Sequence, residues 1–237
     1  MAIPTGTLSR AVARMIARRA TIISTERPKD YLVAITLEAA SFRSVTWTPG
    51  EKLQIAMSSV FETRTYTPLE WDSDRGRTRI LGFLHGSGPG CAWLRNARAG
   101  DTCHVLGPRH SLNVRKPEGP IAFFGDETSL GLAFALSREG GNPCSYHFEA
   151  DDAGSIRQFA EQWGLPEVNV VARTVGESHL DALAAALPDL IDQGATFILT
   201  GKAQTIQRLK VELKRLNVPS LHAMSKAYWA PGKIGLD

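Results

Sequence analysis

The sequence predicts two domains: an antiparallel β-barrel, then an α/β domain built on a parallel sheet. Up to about residue 110 the chain falls into half a dozen short alternating or β-branched runs, with one helical stretch among them. From Ile121 onward, short apolar runs alternate with helical patterns, which implies right-handed crossovers between parallel strands. Between these regimes Lys116-Pro117-Glu118-Gly119-Pro120 breaks both periodicities, so the domains are taken as residues 1–116 and 117–237.

Composition narrows the class. Of 237 residues 43% are hydrophobic, enough for two cores, and a net charge of +3 is too small to argue for a nucleic-acid partner. Arg10, Arg14, Arg18 and Arg19 fall in a leading segment without an acid. It is read as a solvated basic arm, because it lacks the apolar run of a secretory signal. No later stretch approaches membrane-spanning length, so a soluble cytoplasmic protein without membrane insertion is expected. Cys91, Cys103 and Cys144 offer neither metal-ligand spacing nor a disulfide framework, so no bound metal is expected.

In the first half, strands are expected at residues 21–24 and 31–37, with Pro28-Lys29-Asp30 turning between them. Pro49-Gly50 turns into a strand at 53–57. Next comes Arg64-Thr65-Tyr66-Thr67-Pro68, where Arg64 and Tyr66 are two apart in a strand and share a face. A guanidinium, a flat ring and a Thr hydroxyl side by side match the diphosphate, ring system and ribityl chain of a flavin dinucleotide. Arg75-Gly76 precedes a strand at 78–84, which runs into His85-Gly86-Ser87-Gly88-Pro89-Gly90. That glycine-rich turn opens a helix at Pro89, whose outward N–H groups favour an anion. Trp93, on the same helix, reads first as core. Gly100-Asp101 introduces a last strand at 102–106.

In the second half, Ile121-Ala122-Phe123-Phe124 is a buried-looking strand, followed by Gly125-Asp126-Glu127-Thr128 and a helix to about residue 137. Further strands are expected at 144–148, 168–172 and 196–199, and helices at 156–163, from 180, and at 202–216. The turn after the first strand is where such a sheet takes a dinucleotide phosphate. Two acids there would repel it, so Asp126 is read as a helix cap, leaving Gly125, Thr128 and Ser129 to a nicotinamide nucleotide. Glu149 could accept a ribose 2′-hydroxyl and favour NADH. Arg173, ending the third strand, could pair with a 2′-phosphate and favour NADPH.

These motifs, in this order and together with Gly107-Pro108-Arg109 and Tyr228-Trp229, resemble the siderophore-interacting protein family from about Ala20 to Lys233. That family comprises the FAD-dependent ferric-siderophore reductases of the ferredoxin–NADP reductase superfamily. The resemblance implies FAD held by Arg64, Tyr66, Thr67, His85, Gly86, Ser87, Gly88, Gly90 and Trp93. Tyr228 or Trp229 would lie over the ring or close its pocket, against the plainer reading of interdomain packing. Gly125, Thr128, Ser129 and Arg173 would hold NAD(P)H, and Lys52, Arg109, Lys226 and Lys233 an anionic ferric siderophore or other ferric chelate. The chain ends soon after Trp229, as in the family's shorter branch, so NADPH is expected ahead of NADH.

The sequence departs from the family's pattern at several places. It has Gly82 where an acid is usual, His110 for a second Gly, Gly131 for a Pro, and Thr200-Gly201-Lys202 for a Gly-Glu. The reaction implied is hydride donation from the nicotinamide to the flavin, then single electrons to Fe(III), which leaves its chelate as Fe(II). Two alternatives stand beside it: a general NAD(P)H-dependent flavin or ferredoxin-type oxidoreductase, and a non-enzymatic chelate-binding flavoprotein module.

Overall fold

The computed structural model describes residues 17–57, 62–114 and 119–233; Arg10 and Arg14 of the basic arm, and the expected boundary at 116–117, lie outside them. The chain divides into two compact units, Met1–Ser111 and Leu112–Asp237.

The first unit contains β1 (Arg18–Lys29), β2 (Leu32–Glu38), β3 (Glu51–Ala56), β4 (Thr63–Tyr66), β5 (Pro68–Asp72) and β6 (Arg77–Phe83). Helix α1 (Pro89–Asn96) then leads to β7 (Thr102–His110). All pairings are antiparallel, in the order β4-β3-β7-β1-β2-β6-β5. The two edge strands, β4 and β5, are separated in sequence by Thr67 alone. The chain therefore steps from one edge of the sheet to the other, which a flat sheet cannot allow, and the sheet curls into a barrel.

Alternation builds the barrel's interior. Along β7, Cys103 and Val105 are buried while Thr102 and His104 are exposed. Leu53 and Ile55 of β3, Ile35 and Leu37 of β2, and Ile80 of β6 join Val105 in one core. Each such side chain contributes about 1.5–3 kcal/mol by leaving water. Helix α1 packs on β6 through Leu94, and Gly82 makes this possible: a Cβ there would stand 2.5 Å from both Leu94 methyl carbons.

β1 is longer than expected and runs through Pro28, with a register irregularity between Glu26 and Lys29. Proline is accommodated at such irregularities because it has no ladder hydrogen to lose there.

The second unit contains β8 (Ile121–Gly125), α2 (Leu130–Glu139), β9 (Cys144–Ala150), α3 (Ala153–Gln162) and β10 (Val168–Ala172). It continues with α4 (His179–Ala185), α5 (Leu187–Asp192), β11 (Thr196–Lys202), α6 (Ala203–Arg215) and β12 (Ala223–Trp229). The expected single helix from 180 is two, because Pro188 in the first turn of α5 cannot continue α4. The sheet is parallel in the order β10-β9-β8-β11-β12, so the winding reverses between β8 and β11. Both central strands are buried along their whole length. Leu183, Leu187, Leu209 and Leu213 cover one face with Phe124 and Phe197. Phe123, Phe134, Phe148 and Phe159 form ring contacts on aromatic neighbours that include Tyr146 and Trp163.

Candidate functional site

In the first unit, β4 carries Arg64 opposite Ile55 and Tyr66 opposite Leu53 of β3, which puts both side chains on one face. The start of α1 sits against them: a Cβ on Gly90 would stand 2.9 Å from Arg64 Cγ and 3.3 Å from Tyr66 Oη. Arg64 Nη1 donates to the Thr63 carbonyl at 2.8 Å, and Nη2 lies 3.9 Å from Glu62 Oε1. Tyr66 packs on Trp93 with ring centroids 5.9 Å apart. Burial raises the Tyr66 phenol well above its ordinary pKa, Cys91 adds to this and Arg64 opposes it, so the hydroxyl is a donor at neutral pH.

His85, Gly86, Ser87, Gly88 and Pro89 form the exposed turn into α1. Gly88 is the N-cap, has no side chain to spend on the helix start, and a Cβ there would meet no atom within 4 Å. Among the described residues no contact requires glycine at 88, and the helix start has no side-chain cap. No acid occupies the first turn of α1. A helix start without an acid, beside a guanidinium and two packed rings, has the chemistry that suits an anion. Thr67 links β4 to β5, and His85 lies 5.7 Å from Phe83, ring to ring. A hollow beside α1 is bordered by Met57, Glu62, Pro89, Trp93 and Thr102.

Of the expected chelate ligands, Lys52 and Arg109 are register partners on β3 and β7, with Arg109 Nη1 3.4 Å from Gln54 Oε1. Lys226, on β12, and exposed Lys233 belong to the second unit.

In the second unit the carboxyl ends of the parallel strands gather a charged network. Asp126 is fully buried and caps the turn after β8, accepting from Thr128 N at 2.8 Å. It also accepts from the Trp229 indole at 2.7 Å. A Cβ on Gly201, which has φ of +95°, would strike its carboxylate. Burial pushes the Asp126 carboxyl up to about 6; Thr128 and Trp229 oppose the shift, Glu127 adds to it, and Arg173 opposes it. Trp229, which with Tyr228 was weighed for the flavin ring, its pocket or plain packing, donates its N–H inside this unit, and the Arg173 guanidinium lies 5.9 Å from its ring.

The two residues weighed for nucleotide contacts both have partners within this unit. Arg173 Nη1 donates to Glu127 Oε1 and Asp151 Oδ1, both at 3.0 Å. Its Nη2 donates to Glu127 Oε2 at 2.6 Å and to the Glu149 carbonyl at 3.4 Å. The guanidinium expected to face a 2′-phosphate is therefore held by carboxylates. Glu149, expected to accept a ribose hydroxyl, is fully buried and accepts from Thr205 at 2.6 Å, with His179 Nε2 2.7 Å away. Lys202 is paired with Glu177. Ser129 is buried beside Gly125, and its hydroxyl has no hydrogen-bond partner. Among the described residues no helix is long and apolar enough to cross a membrane.

Comparison with known proteins agrees with the architecture. Residues 9–112 match the siderophore-interacting FAD-binding domain. No curated protein matches significantly. A siderophore-interacting protein from Acinetobacter baumannii aligns at TM-score 0.74 and 17% identity, over 91% of both chains. A siderophore utilization protein from T. fusca aligns at TM-score 0.73 and 21% identity, over 93% of this chain and 95% of the other. Ferredoxin-NADP+ reductase from Plasmodium falciparum aligns at TM-score 0.69 and 8% identity, over 90% of this chain and 96% of the other. The curled antiparallel sheet, the reversing parallel sheet and these matches lead to one assignment: the first unit is similar to the siderophore-interacting FAD-binding domain, in a chain with the two-domain fold of the ferredoxin–NADP+ reductases.

Proposed function

We propose that the protein is an FAD-dependent reductase that passes electrons from a reduced nicotinamide nucleotide to Fe(III) in a siderophore or other ferric chelate. The observation that carries this reading is the seating of the α1 start on Arg64 and Tyr66, through Gly90, inside a unit similar to the siderophore-interacting FAD-binding domain. The residues present fit the cofactor. Arg64 and the N–H groups after Gly88 would take the diphosphate, and Tyr66 with Trp93 would border the ring. Thr67, His85, Gly86 and Ser87 would line its edge. Bound FAD supplies the conversion between two-electron and one-electron transfer.

The chain's own residues then bind and orient. The Lys52–Arg109 pair would attract an anionic chelate, and Gly125, Thr128 and Ser129 would meet the nucleotide. The expected preference for NADPH drew on Arg173 and on the likeness to the family's shorter branch; the Arg173 guanidinium is engaged by carboxylates, which leaves the second ground alone. A reducing, cytoplasmic setting is part of the proposal and suits both a nicotinamide donor and the three free cysteines.

A second reading, a flavoprotein module without a productive nicotinamide site, draws on one observation: Asp126 already occupies the Thr128 N–H that a phosphate would use. One experiment separates the readings. The purified protein should show a flavin spectrum that bleaches anaerobically with a reduced nicotinamide. Added ferric chelate should restore it, with Fe(II) appearing in a ferrous trap. A flavin that neither nicotinamide bleaches would favour the module. Turnover of quinones or ferredoxin without ferric chelates would favour a general oxidoreductase.

A further inference from the structure

We propose that the second unit takes NADH in preference to NADPH, with Asp151 accepting the adenosine-ribose 2′-hydroxyl and the surrounding acids repelling a 2′-phosphate. The inference rests on the reductase reading, in which the nucleotide docks at the carboxyl ends of the parallel strands. In sheets of this winding, the acid that takes a ribose hydroxyl stands at the end of the second strand. Here that strand is β9, and two acids end it. Glu149 is turned inward and committed to Thr205 and His179. Asp151 is the outward one: its side chain is 77% exposed, and only Oδ1 is engaged by Arg173. Among the described residues Oδ2 has no such partner, which leaves the acceptor a ribose hydroxyl needs.

The same network argues against the phosphate. Arg173 is the cation placed where a 2′-phosphate would call for one, and both its Nη atoms already donate to Glu127, Asp151 and the Glu149 carbonyl. Its Nε lies 3.5 Å from Glu149 Oε2, and its Nη2 4.0 Å from Asp126 Oδ2. Four carboxylates thus surround one guanidinium, and three of them are buried, where charge is poorly screened. A phosphate dianion would have to break the two-pronged Arg173–Glu127 pair and then sit among the released acids. The turn after β8 carries a separate feature. The Ser129 hydroxyl, fully buried in the turn after β8 and facing Gly125, has no partner. A buried hydroxyl left unsatisfied is unfavourable, and a rotation of Ser129 that brought it to a nucleotide on that turn would relieve the cost.

The test titrates NAD+ and NADP+ into the full-length flavin-bound protein by calorimetry, so that the readout is binding and not turnover. NAD+ should bind about ten- to a hundred-fold more tightly than NADP+, the range expected for gaining one charge-assisted contact and avoiding one repulsion. Asp151→Asn keeps the side chain's shape. It should weaken NAD+ and tighten NADP+, compressing the ratio at least several-fold. High salt should narrow the wild-type gap in the same direction. Equal or tighter binding of NADP+, or an unchanged ratio in Asp151→Asn, overturns the inference. Anaerobic bleaching keeps the two failures apart. A flavin bleached by NADPH and not by NADH sinks this inference and leaves the reductase reading standing, whereas bleaching by neither sinks both.

Discussion

Gly90 and Arg64 touch through the space a side chain would fill: a Cβ at position 90 would stand 2.9 Å from Arg64 Cγ. Contact between helix α1 and strand β4 at this point depends on glycine. Gly90→Ala must push the Arg64 stem aside, and the guanidinium moves with it. The same change favours the helix itself, by up to about 1 kcal/mol. The two effects have opposite signs, which makes the expectation specific. The apoprotein should be as stable as wild type or slightly more so, while FAD binds roughly tenfold more weakly. Denaturant midpoints of the apoprotein and an FAD titration check the two halves. Undiminished FAD affinity would mean that this contact does not position the flavin site.

Lys52 and Arg109 face each other across β3 and β7, and like charges directly opposite are unfavourable by a few tenths of a kcal/mol up to about 1. Removing one should therefore be neutral or mildly stabilising in the free protein. If the pair serves an anionic chelate, Arg109→Ala should raise KM for that chelate several-fold. Turnover of an uncharged acceptor should be untouched, and the salt dependence of the anionic substrate should diminish. Equal effects on charged and uncharged acceptors would show that Arg109 only supports the barrel.

Much of the first unit was legible because its signals are local. Arg64 and Tyr66 share a face through the period-two geometry of a strand, and Pro89 marks the start of α1. Asp126 was readable as a cap, since its acceptor lies two residues from Thr128 N. β5 was missed because it opens on proline and lacks alternation, and β12 because an edge strand that is half-buried throughout has no period-two pattern. Arg173 shows the other limit. Its partners Glu127, Glu149 and Asp151 lie 46, 24 and 22 residues away and meet it only because β8, β9 and β10 are neighbours in the sheet. Spacing along the chain carries no trace of that.

Asp126 makes a pH prediction. Its carboxyl titrates at about 6 in the folded protein against an ordinary value of 3.8, chiefly through burial. Between those values the unfolded chain is ionised while the folded protein keeps the proton. Stability should therefore fall as pH rises from about 4 to 6 and then level off, by on the order of 2–3 kcal/mol from this group. Asp126→Asn retains an acceptor for Thr128 N and cannot ionise, so it should lack this component of the slope. Denaturant midpoints across that range test the difference between the two proteins. Trp229, which donates to Asp126, should report the same transition by its fluorescence. Parallel slopes in wild type and Asp126→Asn would show that other groups set the pH dependence.

Arg64 itself gives the sharpest test of the flavin site. A charged hydrogen-bonded pair with a diphosphate is worth about 1.5–3 kcal/mol. The start of α1 contributes typically 0.3–1 kcal/mol at an exposed terminus. Arg64→Ala should therefore purify largely without flavin and rebind FAD about ten- to a hundred-fold more weakly. Arg64→Lys should recover only part of the affinity, because an ammonium cannot make the two-pronged contact. The fold should survive, since about a third of the Arg64 side chain is exposed and its recorded ion pair, with Glu62, is 3.9 Å long. Circular dichroism provides the control and FAD titration the readout. Wild-type FAD affinity in a folded Arg64→Ala protein would remove the anion site from the flavin and move the diphosphate elsewhere on the barrel.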